Sequence, residues 1–377
     1  MKTFGRATVS EFLGDLVVYR NLAPMDARLP SLDALRATVG LPPGRIPRKS
    51  EPDYAQVIVH MLRKARALYE SGTAIERLIF VGDTRLNDGT AYANICQAGG
   101  WPGLAFIGSE TTEPPSVEVV STETGEPLYL SNRWAALHDF DRYCAAQGLP
   151  VDERAAVIVD LDKTALGARG RNAHVIDQAR VQAVRDTVAD LLGAAFSEAA
   201  FRDAYDRINQ VEFHPFTTDN QDYLAYICLI LGSGLYDLAT LVGAIRNGQI
   251  SSFEQFISQV DERTNALPAA LADIHGDIYT HVQAGDPTPF KAFRRNEYLT
   301  TVGRMGQLED TAAVETLLAD EIVLTQEVRA LALDWRARGA LLFGLSDKPD
   351  EASVPTPELV AQGYVPIHQT ETHAVGT

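Results

Sequence analysis

Cysteine is scarce: Cys96, Cys144 and Cys228 stand far apart in 377 residues, with no Cys-x-x-Cys pair and no cysteine and histidine cluster at zinc spacing. This excludes a disulfide-stapled framework and a structural zinc module, and it fits a reducing compartment. Positive charge is also short. Lys and Arg total 33 against 50 Asp and Glu, a net charge of −17. Such a balance disfavours nucleic acid as a partner and requires local cations for any anionic substrate. Apolar runs of membrane length are missing as well. The amino-terminal segment has neither the apolar stretch nor the cleavage site of a signal peptide, so a cytoplasmic location is expected. The best candidate span, Leu224 to Ile245, is broken by Gly232-Ser-Gly234 and carries Asp237. It is expected to be a buried helical hairpin with no membrane partner.

What is present is an ordinary globular composition, 46% hydrophobic and 22% charged, in a chain long enough for two domains. The first stretch, to about Pro47, is rich in proline and short apolar runs and reads as irregular wrapping. Apolar residues then recur at helical spacing from Asp53 to Tyr69, with Ser71-Gly72 as a stop. Arg77 to Gly82, Gly103 to Gly108, Ala155 to Val159 and Ala340 to Leu345 are continuous apolar runs of strand length. Strands of this kind belong to a parallel sheet buried on both faces. Val117 to Leu130 reads as a hairpin, and Trp134 to Gln147 as a helix. From about Gln178 to Leu333 long amphipathic segments dominate.

The expected fold is α/β, a three-layer Rossmann-like parallel sheet with a mostly helical cap. Residues 1–170 and 335–377 are assigned to the core and 171–334 to the cap, which is expected to exclude water from the site.

Ligands of open parallel sheets bind beyond the carboxyl ends of the strands. Here those ends carry Asp83 and Asp88, Asp160 and Asp162, and Ser346. A lone Gly-Asp or Asp-x-Asp is as well explained by a turn or a cap. Together, the acids form a set too negative to bind phosphate directly and suited to Mg²⁺, which prefers oxygen ligands.

The run Val157-Ile-Val-Asp160-Leu-Asp162-Lys-Thr164 resembles the first motif of the haloacid dehalogenase superfamily, in which the first aspartate is the nucleophile. Leu342-Phe-Gly-Leu-Ser346 is similar to its second motif and Val81-Gly-Asp83-Thr-Arg-Leu-Asn-Asp88 to its fourth. Arg48-Lys49-Ser-Glu-Pro-Asp-Tyr54 is similar to the third, which supplies a lysine. Motifs three and four precede motif one, and motif two lies near the carboxyl end, so the resemblance implies a circular permutation.

It further implies Asp160 as nucleophile, Asp162 as general acid and base, and Mg²⁺ held by Asp160, Asp83 and Asp88 with the backbone carbonyl of Asp162. Ser346 and Lys49 are expected to hold phosphoryl oxygens, with Thr164 close by; Lys348 competes for the lysine's role. The superfamily's dehalogenases generally lack an acid at the position of Asp162, which favours a phosphate substrate.

Asp83 to Gly89 lacks the twelfth-position glutamate of a calcium loop, because Asn94 stands there. Gly232-Ser-Gly234 lacks a dinucleotide fingerprint's third glycine. The densest cationic stretch, Lys291 to Tyr298 followed by Arg304, is either a solvated helix face or a set in which Arg294, Arg295 or Arg304 reads an anionic group of the substrate. The leading expectation is hydrolysis of a small phosphorylated metabolite. Phosphoryl transfer, phosphonate cleavage and a noncatalytic binding module are the alternatives, and a homodimer remains open.

Overall fold

A computed structural model describes residues 1–68 and 72–377 and divides the chain into two compact units. Residues 1–178 and 301–377 form the first unit, and residues 179–300 the second. The first holds the strands β1 (Lys2–Ala7), β2 (Val17–Val18), β3 (Arg77–Gly82), β4 (Gly103–Gly108), β5 (Val117–Ser121), β6 (Pro127–Ser131), β7 (Ala155–Asp160), β8 (Leu324–Thr325), β9 (Leu341–Leu345) and β10 (Thr372–Gly376).

Seven of these form one sheet in the order β2-β9-β7-β3-β4-β6-β5, parallel throughout except for the β5–β6 hairpin. Its central strands are apolar between their ends because both faces are covered. Leu78, Phe80, Ala156, Ile158, Leu341 and Phe343 pack with Val57, Ile58, Met61 and Leu62 of the helix Pro52–Ala67 and with Tyr92 and Ile95 of the helix Asn87–Gly99. The alternate residues Ile79, Val81, Val157, Val159 and Leu342 are equally buried. The helices Leu137–Ala146 and Gln326–Ala337 contact each other, and they contact β4 and β9 respectively. The result is a mostly parallel α/β fold compatible with three Rossmann-like layers.

Two features differ from expectation. The first 47 residues are not merely wrapping, since β2 extends the main sheet beside β9, and β1 pairs with β10 in a second, three-stranded sheet completed by β8. Residues 301–334, assigned above to the cap, pack with the sheet-bearing unit. There β8 joins β10, and the helix Gln326–Ala337 packs on β9 and on the helix Leu137–Ala146. The helix at 52–67 is as anticipated, but its expected end at Tyr69 and the stop at Ser71 lie outside the described residues.

The second unit is helical. Leu224 to Ile245 forms two helices, Gln221–Gly232 and Leu238–Arg246, and among the described residues no helix is long and apolar enough to cross a membrane. Arg294 lies in the interior of this unit, 5% exposed. Its Nε donates to Asp222 Oδ2 at 2.8 Å, its Nη1 to Glu297 Oε2 at 2.6 Å, and its Nη2 also bonds Asp222. With every nitrogen engaged by these two acids, Arg294 neutralises buried carboxylates rather than reading a substrate, which corrects the expectation above. Arg295 is exposed on the helix that carries Arg294, Lys291–Val302, and Arg304 belongs to the sheet-bearing unit, where it donates to Gln178 Oε1 at 3.2 Å.

Asp350, just past the β9 tip, gives a pH signature. Burial raises its carboxyl to about 6, although Oδ1 accepts the Asn21 N–H at 2.8 Å. The folded chain therefore holds this proton more tightly than the unfolded chain does. The associated stability is complete below about pH 4, the ordinary carboxylate range, and is lost as the pH rises through 6. Asp350→Asn keeps the acceptor and removes the charge. The variant is expected to match wild type at pH 4 and to exceed it at pH 7.5 by on the order of 2 kcal/mol. Thermal melts at both pH values would reject this account if the two proteins differed by the same amount in each.

Candidate active site

The sheet order sets β7 between β3 and β9, so Asp160, Asp83 and Ser346 emerge from three adjacent parallel tips. Asp160 ends β7 opposite Leu345, and Asp83 follows Gly82 at the end of β3. Asp88 is brought to the same place by the first turn of the helix Asn87–Gly99. Its Oδ2 accepts the backbone N–H of Asp83 at 3.0 Å, that of Thr84 at 2.8 Å and the Thr84 hydroxyl at 2.8 Å. Such tight closure needs Gly82: a Cβ there would lie 2.7 Å from Asp88 Cγ. Oxygens of Asp83, Asp88 and Asp160 lie within 4.8 Å of one another.

Lys49 arrives from a different element. It sits in the turn before the helix Pro52–Ala67, whose start is favoured by Pro52 in its first turn. Its Nζ donates to Asp88 Oδ1 and to Asp160 Oδ1, both at 2.6 Å, and lies 5.6 Å from the centre of the Phe80 ring. Burial opposes its charge, yet Asp160 and Asp88 overcome that and hold its pKa well above the usual lysine value. Burial also opposes the charge on Asp88, but Lys49 and the donors of Thr84 keep its pKa low. Asp83 behaves differently. Burial and the neighbouring Asp88 push it up to about 7 even though Arg169 pairs with it. Burial likewise drives Asp160 up, with Asp88 and Asp83 adding to the effect against Lys49. Three carboxylates thus face two cations, Lys49 and Arg169, and burial with this excess of negative charge is what raises Asp83 and Asp160.

The loop after β7 completes the tip. Lys163 takes a left-handed conformation, φ +65°, uncommon for a residue with a Cβ, and Arg169 N–H closes on Lys163 C=O at 2.7 Å. Thr164 is fully buried, and its Oγ1 has no hydrogen-bond partner among the described residues. Asp162, half-buried, lines a cavity of about 20 Å³ with Tyr19, Ser346 and Lys348, room for one water. Ser346 Oγ accepts the Lys348 N–H at 3.1 Å. The two candidate lysines therefore stand apart in role: Lys49 contacts the carboxylates, and Lys348 lines the neighbouring cavity.

Two residues at this centre were not assigned from the sequence. Arg169, pairing with Asp83, comes from an irregular loop with no periodicity to mark it. Tyr54, in the first turn of its helix, is 1% exposed, and its hydroxyl has no partner among the described residues. An orphaned buried hydroxyl costs about 1–3 kcal/mol. The sequence shows only an aromatic at an amphipathic position, which reads as core. The three thiols take no part, being buried and pushed up by that burial, Cys96 to about 12.

Compared with protein-family models, with curated proteins and with solved structures, the chain matches none.

Proposed function

We propose that this chain is a magnesium-dependent phosphatase with a circularly permuted core of the haloacid dehalogenase type, acting on a small phosphorylated metabolite through an aspartyl-phosphate on Asp160. One observation carries the reading: Asp160, Asp83 and Asp88 converge at adjacent strand tips, with Lys49 bonded to two of them. Residues 111 positions apart, Lys49 and Asp160, meet here. The strand order also supports it, because the tips bearing the first, second and fourth motif-like segments are neighbours despite their rearranged order in the chain.

The donor set fits a hard divalent cation. It is all oxygen, it is acidic beyond what Lys49 and Arg169 neutralise, and its atoms lie within one coordination sphere's reach. Asp160, Asp83 and Asp88, with the Asp162 carbonyl, would hold Mg²⁺. A bound Mg²⁺ would offset the charge of the phosphoryl oxygens and let the carboxylates stay ionised together.

In the proposed reaction an oxygen of Asp160 attacks phosphorus, the ester P–O bond breaks, and Asp162 gives its proton to the departing oxygen. Asp162, now a carboxylate, takes a proton from water, whose oxygen attacks the phosphorus of the aspartyl-phosphate; phosphate leaves and Asp160 is restored. The one-water cavity beside Asp162 suits that second step. Lys49, Ser346 and Thr164 would grip the phosphoryl oxygens, and Lys348 would meet the substrate from the cavity side.

The direct test is hydrolysis of an aryl phosphate, then of a panel of phosphorylated metabolites, with Mg²⁺ and with chelator. Turnover that requires Mg²⁺ is the expected result. Its absence throughout the panel would reject hydrolysis and favour phosphoryl transfer or a binding module.

A further inference from the structure

Tyr54 stands five residues after Lys49, on the helix Pro52–Ala67 that begins just beyond the lysine's turn. Its hydroxyl is sealed from solvent and unpartnered. The charges acting on it are those of Lys49, Asp347, Asp160 and Asp88. The charged groups of the cluster are already engaged, Lys49 with Asp88 and Asp160 and Asp83 with Arg169, which leaves the phenol as a donor in excess beside them. Phenylalanine would fill the same space without stranding a polar atom. Burial raises the phenol's pKa above its ordinary value, which favours the neutral, donating form.

We propose that the Tyr54 hydroxyl donates to a non-bridging oxygen of the phosphoryl group seated on Asp160, making Tyr54 a catalytic residue beside Lys49. This rests on the reading of Asp160 given above. It adds a neutral donor where a second cation would have to be desolvated, and a neutral phenol adds no charge to the surrounding field. The donor's preference is for the more negative, pentacoordinate phosphoryl group, so its effect falls on turnover and on binding of transition-state mimics more than on ester binding.

The test compares wild type with Tyr54→Phe in the full chain, using orthovanadate as the probe in saturating Mg²⁺, alongside aryl phosphate kinetics, Mg²⁺ titration alone and thermal melts. Vanadate affinity and kcat are expected to fall about tenfold, the size of one lost hydrogen bond to a charged acceptor. Mg²⁺ affinity and KM are expected to stay within twofold, and the melting temperature to hold or rise because an unsatisfied hydroxyl has been removed. Unchanged vanadate affinity with a raised melting temperature would overturn the proposal and leave Tyr54 a packing residue. Equal losses of vanadate and Mg²⁺ affinity would overturn it too, since the phenol would then act on the cation's ligands. If wild type itself binds no vanadate with Mg²⁺, the reading of Asp160 fails and Tyr54 falls with it. If wild type binds and Tyr54→Phe matches it, only Tyr54's role is lost.

Discussion

Asp160→Asn is expected to lower Mg²⁺-dependent turnover of phosphate esters by about a thousandfold or more, because an amide oxygen cannot replace a carboxylate as the covalent nucleophile. The change should do this without unfolding the chain. Asparagine keeps the shape of the side chain and an acceptor for Lys49 Nζ, now 2.6 Å from Asp160 Oδ1. It also resembles the protonated acid that burial and the neighbouring Asp88 and Asp83 favour. A carboxyl whose folded pKa is raised contributes its stability below the ordinary carboxylate pKa and loses it as pH rises. At pH 8 in chelator the asparagine variant should therefore melt no lower than wild type. Loss of turnover together with a retained melting temperature assigns the nucleophile. Retained turnover would move the nucleophile elsewhere, and a collapsed melting temperature would mean that the ionised Asp160–Lys49 pair holds the fold.

The sheet's central strands were legible for a simple reason. Phe80, Phe106, Ile158 and Phe343 sit on strands covered on both sides, so their neighbours are apolar too and the runs stand out. The strands that escaped are short or pair across the whole chain: β2 has two residues, β8 has two, and β1 finds its partner in β10. Nothing local in Lys2–Ala7 marks a strand whose partner begins at Thr372. The end of the helical unit was misjudged for the same reason, since the helix Gln326–Ala337 has the periodicity of its predecessors and only its packing on β9 assigns it to the sheet.

At the site, polar residues at strand tips are visible in sequence because Asp160, Asp83 and Ser346 each interrupt an apolar run. Contacts made between elements are not. Arg294 read as a free cation because its counter-ion Asp222 is 72 positions away, and Arg169 was overlooked because Asp83 is 86 positions away. An unsatisfied hydroxyl such as Tyr54's is a property of its surroundings alone.

Lys49→Met carries the second large effect, and it bears on both stability and chemistry. Methionine fills much of the volume but leaves Asp88 and Asp160 without the ammonium that each bonds at 2.6 Å. Removing one partner of a buried ion pair costs about 3–5 kcal/mol. Here the cost should be largest in chelator at pH 8, where the carboxylates are most ionised. It should shrink toward pH 5, where they take up protons in place of the lost cation. Mg²⁺ should raise the melting temperature of the variant more than that of wild type, since a second cation then meets a more negative centre. Turnover should fall about 100-fold or more even in saturating Mg²⁺, because the phosphoryl oxygens lose a charged donor. Lys348→Met, changed in the neighbouring cavity, is the comparison. If that variant lost turnover while Lys49→Met kept both activity and stability, the phosphoryl-binding lysine would be Lys348, and the bonds of Lys49 to the two aspartates would be structural only.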